Sequence, residues 1–373
     1  MRTIRSLAAM LTAALLLAGC SSNTSAPDSE AETSVTEAVT TVTTSTTTLT
    51  SSIVTTAATT TVTTTTAPPR NPLTGEDGYA AEACLRRPAA VMVNNLTGSL
   101  PQYGIAAADQ IYEIPVEGGI TRLMAVYADH TAVPAVCSVR SCRYYYPLLC
   151  LGMDALYFHW GCDQTIALET LKRTGIDHFD GGTLSGTLFF RDAERQKTYS
   201  AEHTGYLDGS RIAGYLAAHS VRTELLPEYQ HPAFHFAAEQ LNLAGGQPAA
   251  EITLEFSGNY YSTFRYSEES GTYLKFHSGS PHMDARTETQ LSFENVMILQ
   301  TDIHTGEDGY LMDVALSGGT GWYAANGSIV PLTWKKSAET APVQLYDASG
   351  AELTVSPGKC YIGIIGADRP VTF

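Results

Sequence analysis

Two glutamates four residues apart carry the first chemistry legible in this chain. Glu113 and Glu117 lie in Ile111-Tyr112-Glu113-Ile114-Pro115-Val116-Glu117-Gly118-Gly119-Ile120-Thr121-Arg122. On an extended chain their side chains share one face, and paired carboxylates at a controlled separation act as general acid and base on a glycosidic bond. Pro115 and Gly118-Gly119 also favour a break here, which would leave one glutamate paired with Arg122 and the other solvated. A second constellation is Arg140-Ser141-Cys142-Arg143, running into Tyr144-Tyr145-Tyr146. Two guanidiniums just before a helix that Ser141 would cap favour a carboxylate, sulfate or phosphate, since charge and free N–H groups point the same way. The aromatic run offers faces to a sugar ring, whereas salt bridges to Glu113 or Glu117 would use the same arginines structurally. Phe189-Phe190-Arg191-Asp192 with Arg195, then Tyr199, His203 and Tyr206, adds candidate groups for one pocket, though sequence spacing does not show that they converge. The expected ligand-binding set is Arg122, Arg140, Arg143, Arg191 and Arg195, with Glu113 and Glu117 as the candidate catalytic pair.

His159-Trp160-Gly161-Cys162 brings an imidazole near a thiol, the elements of a Cys-His nucleophile. A disulfide at Cys162 would remove that option. Besides Cys20 the chain holds Cys84, Cys137, Cys142, Cys150, Cys162 and Cys360. In an oxidising compartment these predict disulfides, the most local pairs being Cys137 with Cys142 and Cys150 with Cys162, with other connectivities open. Their spacing lacks the paired Cys-x-x-Cys of zinc sites, so neither a metal nor a cofactor is expected. Ser356-Pro357-Gly358-Lys359 matches Ser-x-x-Lys, yet Pro-Gly reads as a turn between strands. His231 and His235 flank Pro232 and do not make a metal-binding helix.

The elements that must position these groups follow from hydrophobic patterning. Strands are predicted at 89–93, 110–113, 120–127 and 155–160. Helices are predicted at 163–174, ended by Gly175, and at 210–219, capped by Asp208 or Ser210. From about residue 250 short strands separated by turns take over, at 252–256, 262–266, 272–276, 292–299, 310–316, 321–323, 330–334, 343–346 and 361–365. The expected class is α+β: a mixed α/β sheet domain over 70–225, then a mainly β domain over 226–373.

Ahead of these, Arg2 and Arg5 precede an apolar stretch, 7–17, too short to span a bilayer, and Leu17-Ala18-Gly19-Cys20 follows. This is the pattern of a lipoprotein signal peptide over 1–19, with lipid on Cys20 anchoring the chain to the outer face of the cell membrane. The Ser/Thr-rich segment 20–69 cannot bury a core and reads as a disordered stalk, with a coil span of about 35–42 Å for about 49 residues. The formal net charge of −16 excludes a wide basic face and hence nucleic acid as a partner, though not a local basic site.

The order of segments resembles the YerB-like family of bacterial lipoproteins, a two-domain family of unknown function. The resemblance rests on Asn71-Pro72-Leu73-Thr74-Gly75, Arg87-Pro88, Val91-Met92-Val93-Asn94-Asn95, Pro101-Gln102, Tyr112-Glu113, Val116 to Arg122, Val139-Arg140-Ser141 with Arg143, and Phe189 to Asp192 with Arg195. It extends to Asn295-Val296, Trp322-Tyr323 and Asn326-Gly327. Departures are Asn94 in place of an aspartate, and Cys142 and Cys162 in place of small residues. The resemblance implies an envelope protein of thick-walled bacteria and brings no established reaction. Expected partners are the membrane through Cys20, peptidoglycan or another wall polymer, and wall-synthesis proteins. The reading is an anionic- or sugar-ligand binder or scaffold, with a peptidoglycan hydrolase using the paired glutamates as the alternative.

Overall fold

The computed structural model describes residues 68–373, which fall within one compact unit, Thr65–Phe373. The signal segment, Cys20 and the Ser/Thr-rich stretch up to residue 67 lie outside the described residues.

Strand β1, Ala89–Asn94, is apolar at nearly every position because both of its faces are covered. Val91 and Val93 enter one core while Ala90 and Met92 enter the other. The same alternation organises β2, Gln110–Val116, and β3, Ile120–Tyr127. Next along the chain come β4, Leu156–His159, and β5, His178–Asp180, both parallel to β1.

The second half of the chain enters the same sheet. Strand β6, Gln247–Pro248, forms one edge, and a separate layer is built from β7, Glu251–Ser257, β8, Tyr260–Ser267, and β9, Thr272–His277. The chain then returns through β10, Asn295–Thr301, β11, Gly318–Ala325, β12, Ser328–Lys335, and β13, Cys360–Gly366. The resulting eleven-stranded sheet runs β6-β12-β11-β10-β13-β2-β3-β1-β4-β5, with Gln344–Tyr346 paired to β12. Strand β13 lies parallel to both β10 and β2. The segments before and after residue 225 thus share one mixed sheet, while the second half also builds a six-stranded layer of its own.

One face of this sheet packs α1, Tyr145–Leu151, and α2, Ile166–Thr174, around Tyr146, Leu149, Tyr157 and Leu171. The other face carries the six-stranded layer of β7–β9 opposite β2 and β13, where Leu254, Phe264 and Tyr361 interlock. Opposite β1 and β4 the same face carries a three-stranded sheet, Ala135–Cys137, Gly205–Asp208 and Phe189–Arg191, and α3, Ile212–Ala218.

Predicted and observed elements agree at β1, β3, β7–β9 and β13. Helix α2 ends at Gly175, whose positive φ of 62° closes the last turn. Helix α3 is the 210–219 helix shortened, because Asp208 accepts from Ser210 and Arg211 side chains instead of capping N–H groups. The 292–299 strand is split into Ser292–Phe293 and β10, which belong to different sheets.

Candidate functional site

Strands β1, β2, β4 and β5 run in one direction, so their C-terminal ends share an edge of the sheet. In open sheets with parallel strands such an edge is where ligands gather. The segment Ser138-Val139-Arg140 crosses this edge: Asn94 N–H donates to Ser138 O (2.9 Å), Arg140 N–H to Met92 O (3.1 Å), and Trp160 N–H to Arg140 O (2.9 Å). Arg140 therefore bridges the ends of β1 and β4.

The two glutamates do not form a facing pair. Glu113, 1% exposed, points into the layer of β8 and β9. Its Oε1 accepts from Asn95 Nδ2 (3.0 Å) and Thr121 Oγ1 (2.8 Å). Its Oε2 accepts from Ser262 Oγ (2.9 Å), Tyr361 OH (2.8 Å) and Lys275 Nζ (3.2 Å). Burial raises its pKa, but the Lys275 charge, the neighbouring His277 and the Thr121 and Tyr361 hydroxyls outweigh that and hold it below the ordinary carboxylate value.

Lys275 is equally buried, and its three donors are all used, by Glu113, Ser262 Oγ (2.8 Å) and His282 Nδ1 (3.1 Å). His282 Nε2 in turn meets Gln102 Oε1 at 2.9 Å. The network is a buried ion pair joining the two halves of the chain, and beside it His277 Nε2 is buried without a partner.

Glu117 lies past the end of β2 and faces the segment that leads into α1. Arg143 grips both of its oxygens, with Nε to Oε2 at 2.8 Å, and Arg122 Nη2 reaches Oε1 at 3.2 Å. Burial raises the Glu117 pKa, and the Arg143 bonds with both guanidinium charges bring it below the usual range. A carboxylate held ionised by two arginines is a poor general acid.

The five arginines accordingly separate. Arg122 and Arg143 are consumed by Glu117. Arg195 is buried and bonds three backbone carbonyls, His203 O (3.2 Å), Pro101 O (2.7 Å) and Ser99 O (2.8 Å), while lying 4.1 Å from the Tyr199 ring centroid. Arg140 and Arg191 keep solvent-facing surface. The Arg140 side chain is 25% exposed and meets the exposed Glu202 carboxylate at 3.1 Å, while its buried Nε has no partner. Exposed Arg191 lies 4.2 Å above the Trp160 ring and donates to Ala201 O. Trp160 can sit this low because Gly181 and Gly205 lie under it; a Cβ would come 2.5 Å and 2.8 Å from the indole.

Other expectations need correction. Ser141 does not cap a helix: α1 begins only after Tyr144, because Cys142 and Arg143 are used by Gly161 O and Glu117. Tyr145 and Tyr146 are fully buried and bond Pro115 O (2.6 Å) and Arg122 O (2.9 Å), so they present no face to a sugar. His159 spends its nitrogens on Gly161 O and His178 Nδ1, both at 2.9 Å, and not on Cys162. The six described cysteines stand as thiols, and neither expected pair is brought together: Cys137 Sγ faces His203 O and Cys150 Sγ faces Met124 Sδ. A cavity of about 190 Å³ bordered by Leu73, Met153 and Tyr229 lies at the opposite edge of β1, away from every predicted site residue.

Glu202 was not among the expected site residues, and neither were Asn94 and Lys275. Asn94 ends β1 and bonds His203 Nδ1 at 2.9 Å, and the His203 Nε2 lies 3.7 Å from Glu202. Arg140, Glu202, His203 and Asn94 thus form a chain from the surface to the end of β1.

Comparison with known proteins fixes the family. Residues 73–222 match the family described as protein of unknown function (DUF3048), N-terminal domain, and residues 252–362 match its C-terminal domain. YerB of Bacillus subtilis (strain 168), whose name presents it as a candidate lipoprotein, is 27% identical over 288 residues, covering 75% of this chain and 81% of that protein. The chain belongs to the YerB-like family.

The crystal structure of the Bacillus subtilis YerB protein shares the fold, with a TM-score of 0.69, 24% identity, and coverage of 82% of this chain and 99% of that one. The two YerB-like segments correspond to the halves that meet at Glu113 and Lys275. Among the described residues no helix is long and apolar enough to cross a membrane.

Proposed function

We propose that this protein is an extracytoplasmic lipoprotein, anchored through Cys20, that holds a carboxylate- or phosphate-bearing wall polymer against Arg140 and Arg191. The observation that carries this reading is the division among the arginines. Three of the five are buried with their donors committed to Glu117 or to backbone carbonyls, while Arg140 and Arg191 keep exposed surface and flank Trp160 at the edge where β1 and β4 end. Glu202 would be the native stand-in for the ligand, its carboxylate occupying Arg140 until a polymer anion displaces it. The arrangement favours charge recognition over sugar stacking, because the Trp160 ring is already covered by Arg191 and the two glycines.

Co-sedimentation of the full chain, in detergent, with purified sacculi tests the reading. Retention should need the anionic polymer and fall as salt rises, since exposed charge pairs are screened. Equal retention on sacculi stripped of anionic polymer would reject it and point to the peptidoglycan itself, and no retention on either would leave a protein-scaffolding role.

A further inference from the structure

We infer that Cys142 and Cys162 form a disulfide once the protein is outside the cytoplasm. The two residues are direct partners in a parallel β-bridge, fixed by Cys142 N–H donating to Gly161 O at 2.9 Å. Laterally paired residues lie about 4.8 Å apart, inside the roughly 4.4–6.8 Å Cα window of disulfides. Both side chains enter the same apolar cluster, Cys142 buried and Cys162 packed against its rim.

Neither thiol has a stronger partner. Cys142 Sγ approaches Arg143 O at 3.6 Å and Cys162 Sγ receives Gln164 Nε2 at 3.9 Å, both weak sulfur contacts. The other described thiols are aimed elsewhere: Cys84 at Arg70 O, Cys137 at His203 O, Cys150 at Met124 Sδ and Cys360 at Gly358 O.

The oxidant is a disulfide of the thiol–disulfide exchange class. The Cys162 thiolate attacks one sulfur of that disulfide and expels the first donor thiolate, giving a mixed disulfide. The Cys142 thiolate then attacks Cys162 Sγ and expels the second. The protein loses two protons and two electrons, and the donor ends as two thiols. The link would tie the Arg140–Arg143 segment to the Trp160–Cys162 loop, fixing the two walls of the candidate site against each other. Only the supply of oxidant rests on the extracytoplasmic reading.

The test is a non-reducing peptide map of the exported full chain, its thiols blocked with N-ethylmaleimide before extraction. The expected result is one peptide pair joined through Cys142 and Cys162, lighter by two hydrogen atoms than the sum of its parts and separated by reductant. In Cys162→Ser the pair is lost and Cys142 takes the label. Maleimide on both residues of the folded exported chain, or a link from either to another cysteine, overturns the proposal. A parallel sample retained in the cytoplasm, purified reduced and treated with oxidised glutathione, separates the two readings. The same link forming only in that sample shows two thiols that can pair but are not oxidised on export, which overturns the proposal as stated, and no link in either sample refutes the pairing itself.

Discussion

Glu113 Oε2 and Lys275 Nζ stand 3.2 Å apart, both wholly buried, one on β2 and the other on β9. A buried pair of this kind is strongly destabilising to break, because the remaining charge keeps its desolvation cost without compensation. Lys275→Met should lower unfolding free energy by about 3–5 kcal/mol in urea titrations, and Glu113→Gln should act in the same direction. The double substitution should recover much of the loss, as the two charges leave together. Single variants as stable as the parent would contradict the account of this core.

Acid should weaken the fold in two windows. Burial, above all, pushes His159 and His277 down to about 4, so the unfolded chain takes up their protons near the ordinary 6.5 while the folded one does not. Between those values the unfolded state binds more protons, and stability is full above about 6.5 and is lost progressively toward 4. Glu113 and Glu117 have depressed folded values, so their contribution is present above the ordinary 4.5 and is lost as pH falls through those values. Urea midpoints should therefore fall from about pH 7 to about pH 4, and His277→Gln should flatten the upper part of that slope.

Arg195 and Arg191 should behave oppositely although they lie four residues apart. Arg195→Ala removes a buried cation from three carbonyls and should cost about 2–4 kcal/mol of stability. Arg191→Ala removes an exposed ring contact and should cost no more than about 1 kcal/mol. Thermal and urea unfolding of the two variants checks the contrast.

No glycosidic cleavage by the glutamate pair is expected. Glu113 faces β8 and β9 while Glu117 is gripped by Arg122 and Arg143, so the two share no opening into which a sugar could enter between them. Mass spectrometry of soluble muropeptides should show the same background for the parent, Glu113→Gln and Glu117→Gln incubated with sacculi. Release by the parent that disappears in either variant would restore the hydrolase reading.

Much of the scaffold was legible in the sequence because its strands are covered on both faces, which leaves long apolar runs such as 89–93 and 361–365. The Glu113 network was not legible in the same way. Its partners Ser262 and Tyr361 are 149 and 248 residues away, and a polar residue on an alternating strand gives no sign of which distant group it will meet. The short-range cysteine pairs failed for a related reason: the backbone neighbour of Cys142 is Cys162, beyond a helix and a strand. Among the candidate site residues, the sequence put forward Arg140 and Arg191 but could not distinguish them from Arg122, Arg143 and Arg195. That distinction depends on Glu117 and on carbonyls brought in by folding.

The most direct test of the central claim is the affinity of the full chain for anionic-polymer-bearing sacculi after Arg140→Ala and Arg191→Ala, singly and together. Each substitution should weaken retention about tenfold, the worth of one charge-assisted contact, and the pair should abolish its salt dependence while the fold stays intact. Unchanged affinity in the folded double variant would contradict the account.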